Sequence, residues 1–105
     1  MICSGALEEL DLLPREAIVL QELIGQKVVI DMKSTYVCLG TLLSFDDLYV
    51  ELKNADIHDL RDTQTSRENY IAESVASGIK RNRKRAWVVR ADMVAFARLE
   101  DFADD

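Results

Sequence analysis

Few side chains in this chain of 105 residues could carry chemistry. His58 is the only histidine, so any Ser–His or Cys–His pair would have to run through it. Asp56 and Asp59 flank it closely. Residues alternating along an extended segment share a face only in part, so no metal site is expected there, and hydrogen bonding to His58 is the plainer role. Asp46 and Asp47 are paired carboxylates with the character of turn residues. There is no P-loop and no glycine-rich phosphate cradle. Cys3 and Cys38 show no metal spacing. Cys38 lies in an apolar run and reads as a small buried hydrophobe. Nothing argues for a disulfide between the two. No enzyme activity, cofactor or small-molecule substrate is expected.

What remains is charge. The net charge is −6, which disfavours nonspecific nucleic-acid binding by the whole surface. Its distribution is uneven. Five of the six residues from Lys80 to Arg85 are basic: Lys80, Arg81, Arg83, Lys84 and Arg85. The other eight basic residues face nineteen acidic ones. The run reads either as a solvated charged hairpin or as a phosphate-binding patch on an acidic body.

These groups need elements to hold them. The length fits one domain with one modest core. Leu7, Leu10, Ala17, Leu20 and Ile24 recur at helical intervals, so residues 1–24 form an N-terminal helical region, with Pro14 in a first turn. Gly25 supplies the stop. From Gln26 the period changes to two. Val28, Ile30 and Met32 alternate with Lys27, Asp31 and Lys33, apart from the apolar Val29. Lys33-Ser34-Thr35 is a turn, and Tyr36 to Phe45 a second strand. Gly40 inside that strand marks a bend or bulge. After a tight turn at Asp46-Asp47, Leu48, Val50 and Leu52 alternate as a third strand. Residues 56–85 read as an insertion. Within it Thr65 to Ile79 is helical, with Ser66 as N-cap and Tyr70, Ile71, Val75 and Ile79 near one face. Ala86–Val89 and Met93–Ala97 are short apolar strands, and 100–105 an acidic tail.

The expected fold is therefore mainly β: an N-terminal helix, five short and strongly bent antiparallel strands forming a small open barrel, and a helical insertion. Open barrels leave edge strands, and edge-to-edge ring assembly is one way to cover them. No apolar run reaches the roughly 20 residues needed to cross a bilayer. Glu8, Glu9 and Asp11 stand where a signal peptide would be positive. A soluble cytoplasmic protein without a membrane partner is the expectation.

Two motifs resemble those of Sm-like proteins. In the family's first motif a strand-two glycine is followed by a leucine, an apolar residue and an aspartate, as Gly40, Leu42, Phe45 and Asp46 are here. The lead-in from Leu23 to Val28 also matches. In the second motif an apolar triplet precedes Arg-Gly. Here Trp87-Val88-Val89-Arg90-Ala91-Asp92-Met93-Val94 matches, with Ala91 replacing the glycine. The first motif spans 26–55, the second 86–99, and the resemblance covers about Leu20 to Leu99.

The resemblance implies a homo-oligomeric ring of six or seven subunits and single-stranded RNA as the partner. The RNA site would comprise Asp46, Leu48, Tyr49, Arg90 and Ala91. The pocket is degenerate. The family's asparagine aligns with Tyr49, and the alternation of Leu48, Val50 and Leu52 supports that register. Tyr49 can stack on any base, but it cannot supply an amide's paired donor and acceptor. Arg90 either contacts a base or bonds Asp46 or backbone to serve the fold. Ring closure through strands four and five makes Trp87, Val88, Val89, Val94 and Phe96 interface candidates, though the same residues read equally as ordinary core. Ring copies would gather the Lys80–Arg85 runs into a basic belt. The alternatives are an oligomeric protein-assembly scaffold of the same fold without RNA binding, and an unrelated monomeric adaptor.

Overall fold

A computed structural model describes residues 15–62 and 64–102. Leu7, Leu10 and Pro14 of the helical pattern, Cys3, and 103–105 of the acidic tail lie outside them. Helix α1 (Arg15–Leu23) leads into strands β1 (Lys27–Met32), β2 (Tyr36–Phe45) and β3 (Tyr49–Asp59). Helix α2 (Arg67–Ser77) follows, then β4 (Arg83–Val89), a 3₁₀ turn at Arg90–Asp92, β5 (Met93–Arg98) and a last 3₁₀ turn at Leu99–Asp101. All strand pairs are antiparallel, in the order β4-β3-β2-β1-β5.

The sheet is covered on both faces, which explains the break in β1's alternation. Val28 and Ile30 point inward, with Leu20 and Leu23 of α1, Cys38, Leu42, Val50, Leu52 and Val88. Val29 points the other way, into a second core with Val37, Leu39, Tyr70, Ile71 and Leu99. The expected pattern at α1 shifts slightly: Leu23 is buried, while Ile24 lies past the helix end and is exposed. Gly25 takes φ +90°, and its N–H donates to the Leu42 carbonyl at 2.7 Å, tying the turn to β2.

Gly40 sits where β2 bends. Leu39 pairs with Asp56 and Thr41 with Lys53, so Gly40 alone opposes both Asn54 and Ala55. Asn54 takes the left-handed conformation at φ 52°, as a bulge residue can. A Cβ on Gly40 would lie 3.2 Å from the Cα and Cβ of Ala55 and from the Cβ of Leu52. The glycine is there for close approach.

The insertion is shorter than the sequence suggests. β3 runs on to Asp59, and Arg83, Lys84 and Arg85 belong to β4, so only 60–82 connect the two strands. Asp56 and His58 fall in the polar stretch that the sequence assigns to the insertion. They extend β3 because α2 packs against them. Asp56 is buried and accepts a hydrogen bond from the Tyr70 hydroxyl. His58 stacks on the Tyr70 ring at 4.0 Å between centroids.

Helix α2 starts at its Ser66 cap, whose Oγ accepts from Asn69 N–H at 3.1 Å. Its inward face is Tyr70, Ile71 and Ser74, and Val75 is exposed rather than packed. Arg67 clamps the helix to β1, donating from Nε and Nη2 to the two oxygens of Asp31, both at 2.7 Å. Asn82 closes the insertion. Its amide accepts from Ile57 N–H and donates to Ile57 C=O, each at 3.0 Å, in place of a strand residue.

Candidate nucleic-acid interface

Asp46 builds the turn between β2 and β3. Its Oδ1 accepts from the N–H groups of Leu48 and Tyr49, both at 2.8 Å, and its own N–H donates to the Tyr49 carbonyl at 2.9 Å. The bonds from Tyr49 and Leu48, with the Arg90 charge adding, hold its carboxyl below the ordinary range. Asp46 is thus occupied as a turn former. The turn leaves Leu48 67% and Tyr49 42% exposed.

Arg90 opens the 3₁₀ turn between β4 and β5, and its N–H donates to the Leu48 carbonyl at 2.8 Å. Each nitrogen of its guanidinium makes one bond, which uses three of its five N–H donors. Nη1 donates to the Asp46 carbonyl, Nη2 to Glu16 Oε1, and Nε to the same Glu16 oxygen at 3.0 Å. The group also lies 5.6 Å from the Phe45 ring centroid, a cation–π distance. The side chain is only 13% exposed.

A shallow cavity of about 330 Å³ brings these elements together: Leu48, Tyr49, Arg90 and Ala91, with Val89, Glu16 and Asp47. The first four were expected from the sequence. Glu16 was not, since no local signal links a residue of α1 to Arg90. Asp47 was visible only as a turn residue.

The basic run lies elsewhere. Arg83 pairs with Ala55, Arg85 with Lys53 and Val89 with Tyr49, so along β4 Arg85 lies about 13 Å and Arg83 about 20 Å from the cavity at 3.3 Å per residue. Lys80, Arg81, Arg83 and Lys84 are exposed and form no ion pair among the described residues. Arg85 bonds Glu51 at 2.6 Å. That bond, after one from Ser44, pulls the Glu51 carboxyl down.

β4 and β5 close the sheet at opposite ends, each with one neighbour. The interface candidates divide there. Trp87, Val89 and Val94 are exposed, Val88 is buried in the inner core, and Phe96 is half-buried against it. A groove of about 890 Å³ runs beside β4 toward Lys33 and Tyr36.

The remaining polar groups have separate roles. Asp59 accepts from Thr35 and Arg61, and chiefly the Arg61 bonds hold its carboxyl far below the usual range. Burial, then the Asp56 charge, pushes the Cys38 thiol up to about 11. Among the described residues no three His, Cys, Asp or Glu side chains group as metal ligands. No described helix is long and apolar enough to cross a membrane.

No family model and no curated protein matches the sequence. Solved structures match the fold. The Sm protein of Pyrococcus abyssii, solved in complex with a uridine heptamer, superimposes with a TM-score of 0.56. That match covers 81% of this chain and 99% of the other, at 15% identity. An Sm-like protein from Archaeoglobus fulgidus gives 0.53 over 83% of this chain and 96% of its own, at 15% identity. The SmAP1 heptamer of P. aerophilum gives 0.52 over 82% and 95%, also at 15%. A helix ahead of a five-stranded, bulged antiparallel sheet, matched nearly end to end by these proteins, is the Sm fold, and this chain has it.

Proposed function

We propose that the protein is a subunit of a homo-oligomeric Sm-type ring that binds single-stranded RNA and has no enzymatic role. The observation that carries RNA binding is the exposed pair Leu48 and Tyr49, set beside Arg90 and Ala91 in one cavity. A flat aromatic beside an apolar side chain is a stacking platform for a base. Ring closure is supported by the two unpartnered sheet ends, where Trp87, Val89 and Val94 are exposed. The P. aerophilum neighbour is a heptamer, which makes seven subunits the first number to test, and the P. abyssii neighbour was solved with a uridine RNA.

The pocket does not read uracil in the family's way. Tyr49 replaces the asparagine, and Arg90 is held by Glu16 and the Asp46 carbonyl. Phosphate contact falls to Lys80, Arg81, Arg83 and Lys84, which fix a backbone without reading sequence. The test is the absolute mass by light scattering, followed by affinity for short U-rich and A-rich RNAs at two salt concentrations. A ring-sized mass with salt-sensitive binding is expected. A monomer, or no binding at low salt, rejects the reading.

The Arg90–Glu16 pair favours a second reading, a ring that scaffolds protein assembly without RNA. It predicts a ring-sized mass with no affinity for any RNA.

A further inference from the structure

We infer that the Tyr49 cavity selects a base presenting hydrogen-bond donors, guanine ahead of uracil. This rests on the RNA-binding reading above. The argument is an inventory of what faces the cavity. Three of the five N–H donors of Arg90 are taken, those of Nε and Nη2 by Glu16 and one of Nη1 by the Asp46 carbonyl. Both of the Glu16 bonds fall on Oε1, so Oε2 keeps its acceptor capacity. Asp47 also lines the cavity, and its carboxylate makes no hydrogen bond or ion pair with any described residue. An ionised carboxylate can only accept. The acceptors available to a base on the Tyr49–Leu48 platform are these carboxylate oxygens and the Tyr49 hydroxyl, while the two remaining Arg90 donors belong to a side chain only 13% exposed.

Uracil fits these poorly. Its single N–H is flanked by two carbonyl oxygens, which would face carboxylate oxygens. Guanine presents N1–H and the N2 amino group side by side, two donors at the spacing of one carboxylate's two acceptors. Adenine and cytosine fall between, each with one amino group beside an acceptor nitrogen. A cationic peptide would also supply donors, but it has no use for the exposed aromatic platform, so the base is the better fit.

The test uses the full-length assembled protein, a labelled uridine heptamer, and the same heptamer with a central guanosine. Anisotropy titration should show the guanosine RNA binding about tenfold more tightly. Asp47→Asn, at an exposed position without a partner among the described residues, should remove most of that difference with the mass unchanged. Glu16→Gln should loosen Arg90 and raise affinity for the uridine heptamer. Equal or tighter binding of the uridine heptamer by the unmodified protein overturns the inference and leaves RNA binding standing. So does a guanosine preference that survives both substitutions. No binding of either RNA removes both conclusions.

Discussion

The guanidinium of Arg90 and the carboxylate of Glu16, 74 positions apart in the chain, close against each other at the rim of the sheet. This contact fastens α1 to the turn between β4 and β5. It also pairs the cation that lines the Tyr49 cavity with a carboxylate.

Arg90→Ala should lower the unfolding free energy by about 2 kcal/mol, because charge-assisted bonds to Glu16 and the Asp46 carbonyl are lost together. Urea denaturation checks this: the midpoint falls and the slope stays constant. An unchanged midpoint would mean that solvent replaces both partners without cost.

Gly40→Ala should cost about 1–3 kcal/mol through overpacking. The new methyl meets Ala55 and Leu52 at 3.2 Å, and two of those three contacts are with Ala55 in the bulge. The thermal midpoint is the readout, and a neutral result would show that β3 can shift away.

Tyr70→Phe should cost about 1–3 kcal/mol, since Asp56 stays buried and loses its hydroxyl donor. Ser66→Ala should cost about 1 kcal/mol by removing the cap of α2. Limited proteolysis should cut the Tyr70→Phe protein faster within 60–82. Equal cutting rates would detach this bond from the docking of α2.

Stability should fall at both pH extremes, for opposite reasons. Asp46, Glu51 and Asp59 have depressed carboxyl pKa values. Their contribution is complete above the ordinary carboxylate value of about 4 and is lost as pH falls through the folded values. Cys38 has a raised pKa. Its contribution is present below the ordinary thiol value of about 8.5 and is lost as pH rises toward about 11. Thermal midpoints should be level from about pH 5 to 8 and decline outside that window. Cys38→Ala should lower the midpoint overall but flatten the alkaline decline. An alkaline slope identical to that of the unmodified protein would exclude Cys38 as its source.

Trp87→Lys and Val94→Lys should each reduce the solution mass to that of smaller species while far-ultraviolet circular dichroism is preserved. Both side chains are exposed on the end strands, so a charge there disturbs edge docking rather than the core. Retention of the full mass by both variants would place the subunit contact elsewhere.

Much of this fold was legible in the chain because its signals are local. Val28 and Ile30 alternate with polar residues, Gly25 ends a helix, and Ser66 precedes one; each acts within a few positions of itself. Gly40 and Asp46 also lie at the spacing of a known motif. The apolar Val29 was a clue to a second covered face, and the structure supplies its partners, Tyr70, Ile71 and Leu99.

What the sequence could not decide depends on partners distant along the chain. Asp56 and His58 are poor strand residues by type, yet they stand in β3 because Tyr70 satisfies one and stacks on the other. Arg83, Lys84 and Arg85 look like a solvated run, yet they pair with β3, because backbone hydrogen bonding at a sheet edge places few demands on side chains. The site shows the division most clearly. The resemblance to the Sm motifs brought Leu48, Tyr49 and Arg90 forward as one group. Only tertiary packing set Glu16 against Arg90, adding a carboxylate to the cavity wall beside the cation, because an ion pair forms wherever folding brings two charges together, whatever their separation in sequence.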